Sequence, residues 1–529
     1  MLYSGIRLLV ITACCMLAGV FSMHYLQVQR YQIAELGKLL KKHPDRLLLP
    51  DVLIGAAAAL VGWYMPVLVS LAVQKEALRN EICNWLTLAL FALTAVLLFV
   101  SRRGTPMKKP FGLTRRICRL MAMLAILNLA GAALLSLIGI SPYLIFAAAD
   151  HMVALAARIL QPLENRINSG FYNSARQKLA ARQDLIRIGI TGSYGKTDVK
   201  MMLKTILSEK YRVLATPPSF STAMGVSRVV NEQLKPGHQV FIAEMGAQKK
   251  GEIKEIAKLV MPRYGVLTCV GEAHIDTFGS IEAAAQTKYE LIQALPEDGD
   301  AFFGSDMSYG DRLYHMCKHK NKFRAGIGSG DKFYMRAEHV QTGVRGTRLE
   351  LICRDGSHAW MQMPLLGSYS VRNLVLCAAV ARRLGLSMEE IARGAEKLKP
   401  VKHHLQLEPG EVNVIDDSEN VLPEAALEAL RVLSEFPGRR ILVTSGLNEP
   451  EKGPANLNYA YGVQIPGCAD YVILIDPEST REIMDGLMSA KFPKSSVRMV
   501  REPSDAAAIV KEIAGKGDTV LYEGVYPEE

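Results

Sequence analysis

Residues 8–26 (LLVITACCMLAGVFSMHYL) contain no Lys, Arg, Asp or Glu, and neither do residues 52–74, 83–100 or 120–149. A helix needs about 20 apolar residues to cross a bilayer core. Three or four such runs inside the first 150 residues are too many for one soluble core, so the chain must open with membrane-spanning helices. A secretory signal could explain the first run, with Arg7 ahead of it, but further spans follow and no small-x-small cleavage site stands out. Residues 141–159 (SPYLIFAAADHMVALAARI) then return as a fifth span or as the second arm of a hairpin. Asp150 and His151 fall within that stretch and are read as a bundle-facing polar pair or part of an interfacial helix.

The net charge of +10 suggests nucleic acid at first sight, but the basic residues sit beside these runs. Residues 30–46 hold five basic and two acidic residues, residues 102–119 hold seven and none, and residues 75–81 hold two of each. By the Lys/Arg asymmetry of loops, the two basic segments are cytoplasmic and the balanced one is outside. The N-terminus is then outside. The basic segments also suit anionic lipid at the inner leaflet. No aromatic–basic interleaving or helix-turn-helix pattern points to nucleic acid.

At 529 residues, with 49% hydrophobic and 22% charged residues, the chain should hold about three folding units and is not disordered. Nine cysteines stand at 14, 15, 83, 118, 269, 317, 353, 377 and 468. None forms a CxxC pair, which argues against a zinc ribbon or a thioredoxin motif. They read as reduced thiols packed as small hydrophobes.

After a polar helical stretch, LIRIGI (185–190) predicts a strand. TGSYGKT (191–197) predicts a turn, and Val199, Met202, Leu203, Ile206 and Leu207 recur on one helical face. Strand, glycine-rich turn and helix make a phosphate-binding loop. Gly192 and Gly195 let backbone N–H groups approach phosphate oxygens, Lys196 reaches the outer phosphates, and the Thr197 hydroxyl ligates Mg²⁺. The common pattern wants Gly at 190, where Ile190 stands. A second strand, QVFIAEMGA (239–247), carries Glu244 at its end, where Mg²⁺–nucleotide sites form. A third apolar strand runs to His274, a metal ligand or a satisfied polar residue. Lys288, on the helix IEAAAQTKYELIQAL, reads by itself as a solvated surface lysine. Downstream, EVNVIDDS, RRILVTSG, ADYVILID, SVRMVRE and DTVLYEG alternate with helices and predict a parallel sheet. Turns are expected at Pro437–Gly438 and from Asn448 to Pro454.

TGSYGKT, EMGAQKKGEI, the His of GEAHIDTFGS, the Lys of TKYEL and DDSENVLP (416–423) together resemble the Mur ligase family. The branch they most resemble adds D-alanyl-D-alanine to a UDP-N-acetylmuramoyl tripeptide. The likeness covers roughly residues 184–529. It implies an α/β architecture of a P-loop central domain and a Rossmann-like C-terminal domain. With the N-terminal spans, the expected division is 1–160, 161–398 and 399–529. It also implies ATP-dependent amide synthesis through an acyl phosphate. Gly192, Ser193, Gly195, Lys196 and Thr197 would then hold the triphosphate, with Asn373 and Asp417 as further nucleotide contacts. Thr197 and Glu244 would face a first Mg²⁺. His274 and Lys288, the latter as a carbamate, would stand at a second. Lys196, His274 and Lys288 are the implied catalytic residues. The implied partners are a UDP-linked or lipid-linked muropeptide precursor, an amino acid or dipeptide, membrane lipids and another cell-wall ligase, at the cytoplasmic face of a bacterial membrane.

The chain departs from the family at several places. The family's G-x-His-Asn-x-x-Asn becomes GSYSVRN (367–373), so Tyr369 and Ser370 replace His and Asn and only Asn373 remains. His404 stands where the family places an Arg that reaches the phosphates. Glu419 and Leu422 alter the Asp-Asp-Ser motif, and Asp198 follows Thr197 where Ser or Thr is usual. Each lost charged hydrogen bond is worth about 1.5–3 kcal/mol. The family's uridine-binding domain is absent, membrane spans standing in its place. Two further readings follow: a weakly active or non-catalytic nucleotide-binding scaffold, and an ATP-driven transporter. The transporter lacks an LSGGQ-type signature and has too short a spacing from loop to Glu244.

Overall fold

The computed structural model describes residues 2–29, 31–70, 75–103, 110–271, 275–305, 308–330, 332–400, 402–419, 423–447 and 456–525. The chain divides into two compact units, 1–170 and 171–529.

In the first unit, among the described residues, five helices are long and apolar enough to cross a membrane: Tyr3–Val28, Leu49–Val67, Leu78–Arg102, Arg115–Leu137 and Pro142–Ala180. The fifth of these helices includes residues 142–159 of the stretch 141–159. Here a 3₁₀ segment, Pro142–Ala148, runs straight into the helix Ala149–Ala180. The first of these helices is two segments, Leu2–Ala18 and Val20–Val28, meeting at Gly19. A β-carbon on Gly19 would lie 2.8 Å from Val153 Cγ2, so only glycine allows the helices this close. Large apolar side chains such as Leu53, Leu60, Trp63, Leu93, Leu97 and Leu137 face outward. An apolar exterior of this extent suits lipid better than water.

The two basic segments meet where Arg116 lies over the Tyr31 ring, and the residues before the first are tied to the second. Gln27 Nε2 donates to Gly112 O (2.9 Å), and Gly112 N donates back to Gln27 Oε1 (3.1 Å). Tyr3 and Trp85 meet edge to face, with ring centroids 5.1 Å apart. The expected Asp150–His151 pair splits: His151 is exposed, while Asp150 is buried, accepts from Ser22 Oγ (2.6 Å) and lies 3.7 Å from Arg102. Arg102 also donates to buried Asp51 (2.9 Å). The guanidinium offsets carboxylate charge that a buried site would not tolerate alone.

The second unit holds two sheets. The first contains β1 (Ile186–Thr191), β2 (Val213–Ala215), β3 (Val240–Glu244), β4 (Tyr264–Leu267), β5 (Asp300–Gly304), β6 (Lys322–Ile327), β7 (Met335–Gly343), β8 (Gly346–Cys353) and β9 (His358–Met363). Their order is β2-β3-β1-β4-β5-β6-β7-β8-β9. Pairing is parallel from β2 through β7 and antiparallel over β7–β8 and β8–β9. The chain order reverses at β1, so the crevice beyond its C-terminal end is where α/β sheets bind ligands. The helix Lys196–Leu207 buries Val199, Met202, Leu203, Ile206 and Leu207 against this sheet, matching their spacing.

The second sheet contains β10 (Gln406–Glu408), β11 (Asn413–Asp417), β12 (Arg440–Thr444), β13 (Tyr471–Ile475), β14 (Val497–Val500) and β15 (Thr519–Glu523), in the order β10-β11-β15-β12-β13-β14. Apart from β10–β11 it is parallel, as the alternation of apolar runs and helices requires. Gly438 turns with φ +80° as expected; Asn448 to Pro454 lies outside the described residues.

Candidate functional site

The β1 strand ends in the phosphate loop, and the loop is held in shape by the segment after β4. Ser193 N donates to Cys269 O (2.6 Å), Ser193 Oγ and Gly271 lie within 3.0 Å, and Thr268 Oγ1 donates to Tyr194 O (2.5 Å). A β-carbon on Gly192 would sit 1.9 Å from Thr268 Oγ1, so the close approach demands glycine. Gly195 has φ +74° and precedes the helix whose free N–H groups face the loop. Asn373, on the helix Gly367–Arg383, places its amide oxygen 3.0 Å from where a Gly195 β-carbon would be. Lys196 Nζ donates to the Gly192 and Ser193 carbonyls, both at 2.9 Å. Burial lowers the Lys196 pKa, against the pull of Glu244.

Register carries Glu244 to the same edge, since Ile190 on β1 pairs with Glu244 on β3. The Thr197 hydroxyl lies 3.2 Å from both Glu244 oxygens. Sequence reasoning missed Lys200. It is fully buried, one turn along the helix from Lys196, and donates to Glu244 Oε2 at 2.7 Å. Its signal was present as a lysine among the inward positions of an amphipathic helix. Thr197 and Glu244 are hard oxygen donors side by side next to a phosphate loop, a donor set that fits Mg²⁺ completed by phosphate oxygens and water.

Lys288 is not the solvated lysine its helix suggested. It is 3% exposed, lies over the Phe278 ring at 5.1 Å, and is pushed down to about 8, first by burial and then by Lys196. The apolar face of helix Ile281–Gln293 carries it inward. The third strand also ends earlier than expected, at Leu267. His274 lies outside the described residues.

Asp417 belongs to a second cluster at the C-terminal edge of the other sheet. It is buried, and Oδ1 accepts from Leu405 N (2.9 Å). Asp416 accepts from Ser418 and holds His403 Nδ1 at 2.6 Å. His403 and Leu405 both have positive φ, so the two aspartates pin a strained connection between the sheets. Glu523 pairs with Asp417 in register and accepts from Tyr461 Oη. Burial pushes Glu523 up to about 8.

The departures also cluster. His404 Nε2 lies 3.8 Å from a Glu419 oxygen, and burial raises the pKa of Asp198. Tyr369 lies under the Arg372 guanidinium at 5.3 Å. Ser368 N at the same helix start donates to Glu428, which is also held by Arg431 (2.9 Å).

A phosphate loop at the switch point of a parallel sheet, followed by a second parallel sheet, defines the class of two-domain nucleotide-dependent α/β enzymes. Residues 190–381 match the Mur ligase middle domain, and the chain is similar over a longer stretch to peptide ligases of that family. Relatives include the UDP-N-acetylmuramoyl-tripeptide–D-alanyl-D-alanine ligases of Treponema pallidum, 28% identical over 64% of this chain and 72% of the relative, and of Bacillus subtilis, 28% over the same shares. That of Escherichia coli is 29% identical over 52% of this chain and 60% of the relative. The fold is similar to MurF from Acinetobacter baumannii (TM-score 0.58, 21% identity, 68% of this chain and 77% of that one). It is also similar to MurF ligase from Thermotoga maritima in complex with ADP (0.56, 24%, 67% and 80%).

Proposed function

We propose that the chain is an ATP-dependent amide ligase acting on a muropeptide precursor at the cytoplasmic face of the membrane. The observation that carries this is the placement of Lys196, Thr197 and Glu244 together at the end of β1 and β3. Its natural division is a membrane region over 1–160, an ATP-binding domain over 161–398 and a ligase domain over 399–529.

A carboxylate and an amine form a salt at neutral pH. Transfer of the γ-phosphoryl group makes the carboxylate an acyl phosphate, and amine attack then forms the amide as phosphate leaves. In this reading the loop N–H groups and Lys196 stabilise charge spreading over the transferring oxygens. Lys196 exchanges its two loop carbonyls for phosphate oxygens. Thr197 and Glu244 would hold Mg²⁺, which when bound neutralises the phosphates. His274 and Lys288 complete the set the family resemblance implies. The lowered pKa of Lys288 supports a carbamate there, since only a neutral amine adds CO₂. Asp417 acts at one remove, by holding the connection at Leu405.

The relatives' names supply the substrate class: a UDP-muramoyl tripeptide and D-alanyl-D-alanine. The apolar first unit favours a precursor presented at the membrane. Its last spanning helix leaves at the same end as the basic segments, where Arg119 grips Glu164, which supports a cytoplasmic ligase. The test is phosphate release by the purified full chain with D-alanyl-D-alanine and either the UDP-linked or the lipid-linked tripeptide. Acceptor-dependent release that Lys196→Ala abolishes is the expected result; ATP binding with no release for any acceptor overturns it. That second outcome is the scaffold reading, favoured by Asp198 beside Thr197 and by Tyr369 and His404 in place of family residues.

A further inference from the structure

Between the basic end of the last two spanning helices and the segment after Val28 lies a cavity of about 240 Å³. Its lining combines the apolar Leu120 and Leu160 with the polar Arg116, Asn165 and Asn168. Its electrostatics are set by Glu164, which is buried. Both Glu164 oxygens accept from Arg119, Oε1 from Nε at 2.6 Å and Oε2 from Nη2 at 2.8 Å. That bidentate fork satisfies the carboxylate. Arg116 stands further off, at 3.6 Å, and its guanidinium carbon lies over the Tyr31 ring, 3.8 Å from the centroid. Two guanidinium groups thus face one carboxylate. The surplus positive charge is on Arg116, which makes no hydrogen bond among the described residues and lines the cavity.

We propose that this cavity binds the phosphate headgroup of an anionic lipid. Arg116 supplies the charge and a planar pair of donors, Asn165 and Asn168 supply amide donors for the remaining oxygens, and Leu120 and Leu160 receive the start of an acyl chain. Tyr31 holds Arg116 in place, which reduces the rotamer freedom lost on binding. Basic pockets between spanning helices at the cytoplasmic side are suited to anionic headgroups. The site rests on the membrane reading above. It would place the phosphate of an anionic phospholipid at the basic end of the first unit.

The test uses the full chain in a neutral detergent and measures binding of dioctanoyl phosphatidylglycerol, dioctanoyl phosphatidylcholine and inorganic phosphate. Saturable binding of the glycerol lipid is expected, with choline lipid and phosphate each at least about tenfold weaker. Arg116→Gln should weaken the glycerol lipid about tenfold, and Arg116→Lys should restore most of that. Arg115→Gln, one residue away but exposed, should change little, which separates the cavity from general attraction to a basic surface. Equal binding of both lipids, or an Arg116→Gln variant that binds as tightly as wild type, overturns the site. Phosphate binding as tight as the glycerol lipid overturns the lipid assignment. Release of the chain from membranes by alkaline carbonate would instead overturn the membrane reading itself.

Discussion

Lys200→Met removes the counter-charge of Glu244 and keeps most of the side-chain volume. Lys200 is fully buried, Glu244 is 5% exposed, and the pair is 2.7 Å apart. Breaking a buried pair from one side costs about 3–5 kcal/mol, because the remaining charge is left without a partner. For a domain of roughly 200 residues, each kcal/mol moves the melting temperature by about 2–4 °C, so a fall of about 10 °C is expected. Magnesium should reverse part of it. In the wild type the ammonium already neutralises Glu244, whereas in the variant a divalent cation at Thr197 and Glu244 would take over that role. Saturation at 100 times Kd adds about 2.7 kcal/mol. The assay is thermal unfolding of the full chain with EDTA, with Mg²⁺, and with Mg²⁺ plus ATP. The reasoning is refuted if the variant melts within 2 °C of wild type in EDTA, or if Mg²⁺ raises both proteins equally.

The remaining predictions concern the loop and the two buried titrating groups. Gly195→Ala would put a methyl group at positive φ and 3.0 Å from Asn373 Oδ1; it should weaken ATP binding at least about tenfold, read by calorimetry, and Asn373→Ala should recover only the steric part. Glu523 is held up at about 8 against an ordinary 4.5. The folded state therefore keeps a proton that the unfolded chain releases, and stability falls as pH rises from about 4.5 to about 8, at up to about 1.4 kcal/mol per pH unit. Glu523→Gln should flatten that slope and melt above wild type at pH 8.5; identical pH profiles would count against it. Lys288, at about 8, should form a carbamate with ¹³C-bicarbonate, giving a carbonyl carbon signal that Lys288→Arg lacks, and no signal at pH 8 would exclude the modification.

The long apolar N-terminal helices, the glycine-rich loop after β1 and the alternating strands of the C-terminal sheet were legible in the sequence, because each rests on a local pattern. A run without charges, a glycine-rich turn between strand and helix, and a period of 2 or 3.6 are properties of neighbouring residues. The family motifs likewise named Lys196, Glu244 and Lys288 without any coordinates. Register, burial and charge pairing depend on residues far apart in the chain. Strand pairing put Glu244 beside Thr197, and packing alone carried Lys288 into the interior and gave Glu244 its partner Lys200. Asp417 was read as a nucleotide contact from its motif, but its backbone bond to Leu405 and its neighbour Glu523 could be seen only once β11 and β15 were paired. Arg116 is one of seven basic residues in a loop until Arg119 takes both oxygens of Glu164, 45 residues away. Sequence spacing reports which face of an element is apolar; which charges are satisfied and which are left over is decided by what the other elements bring to meet them.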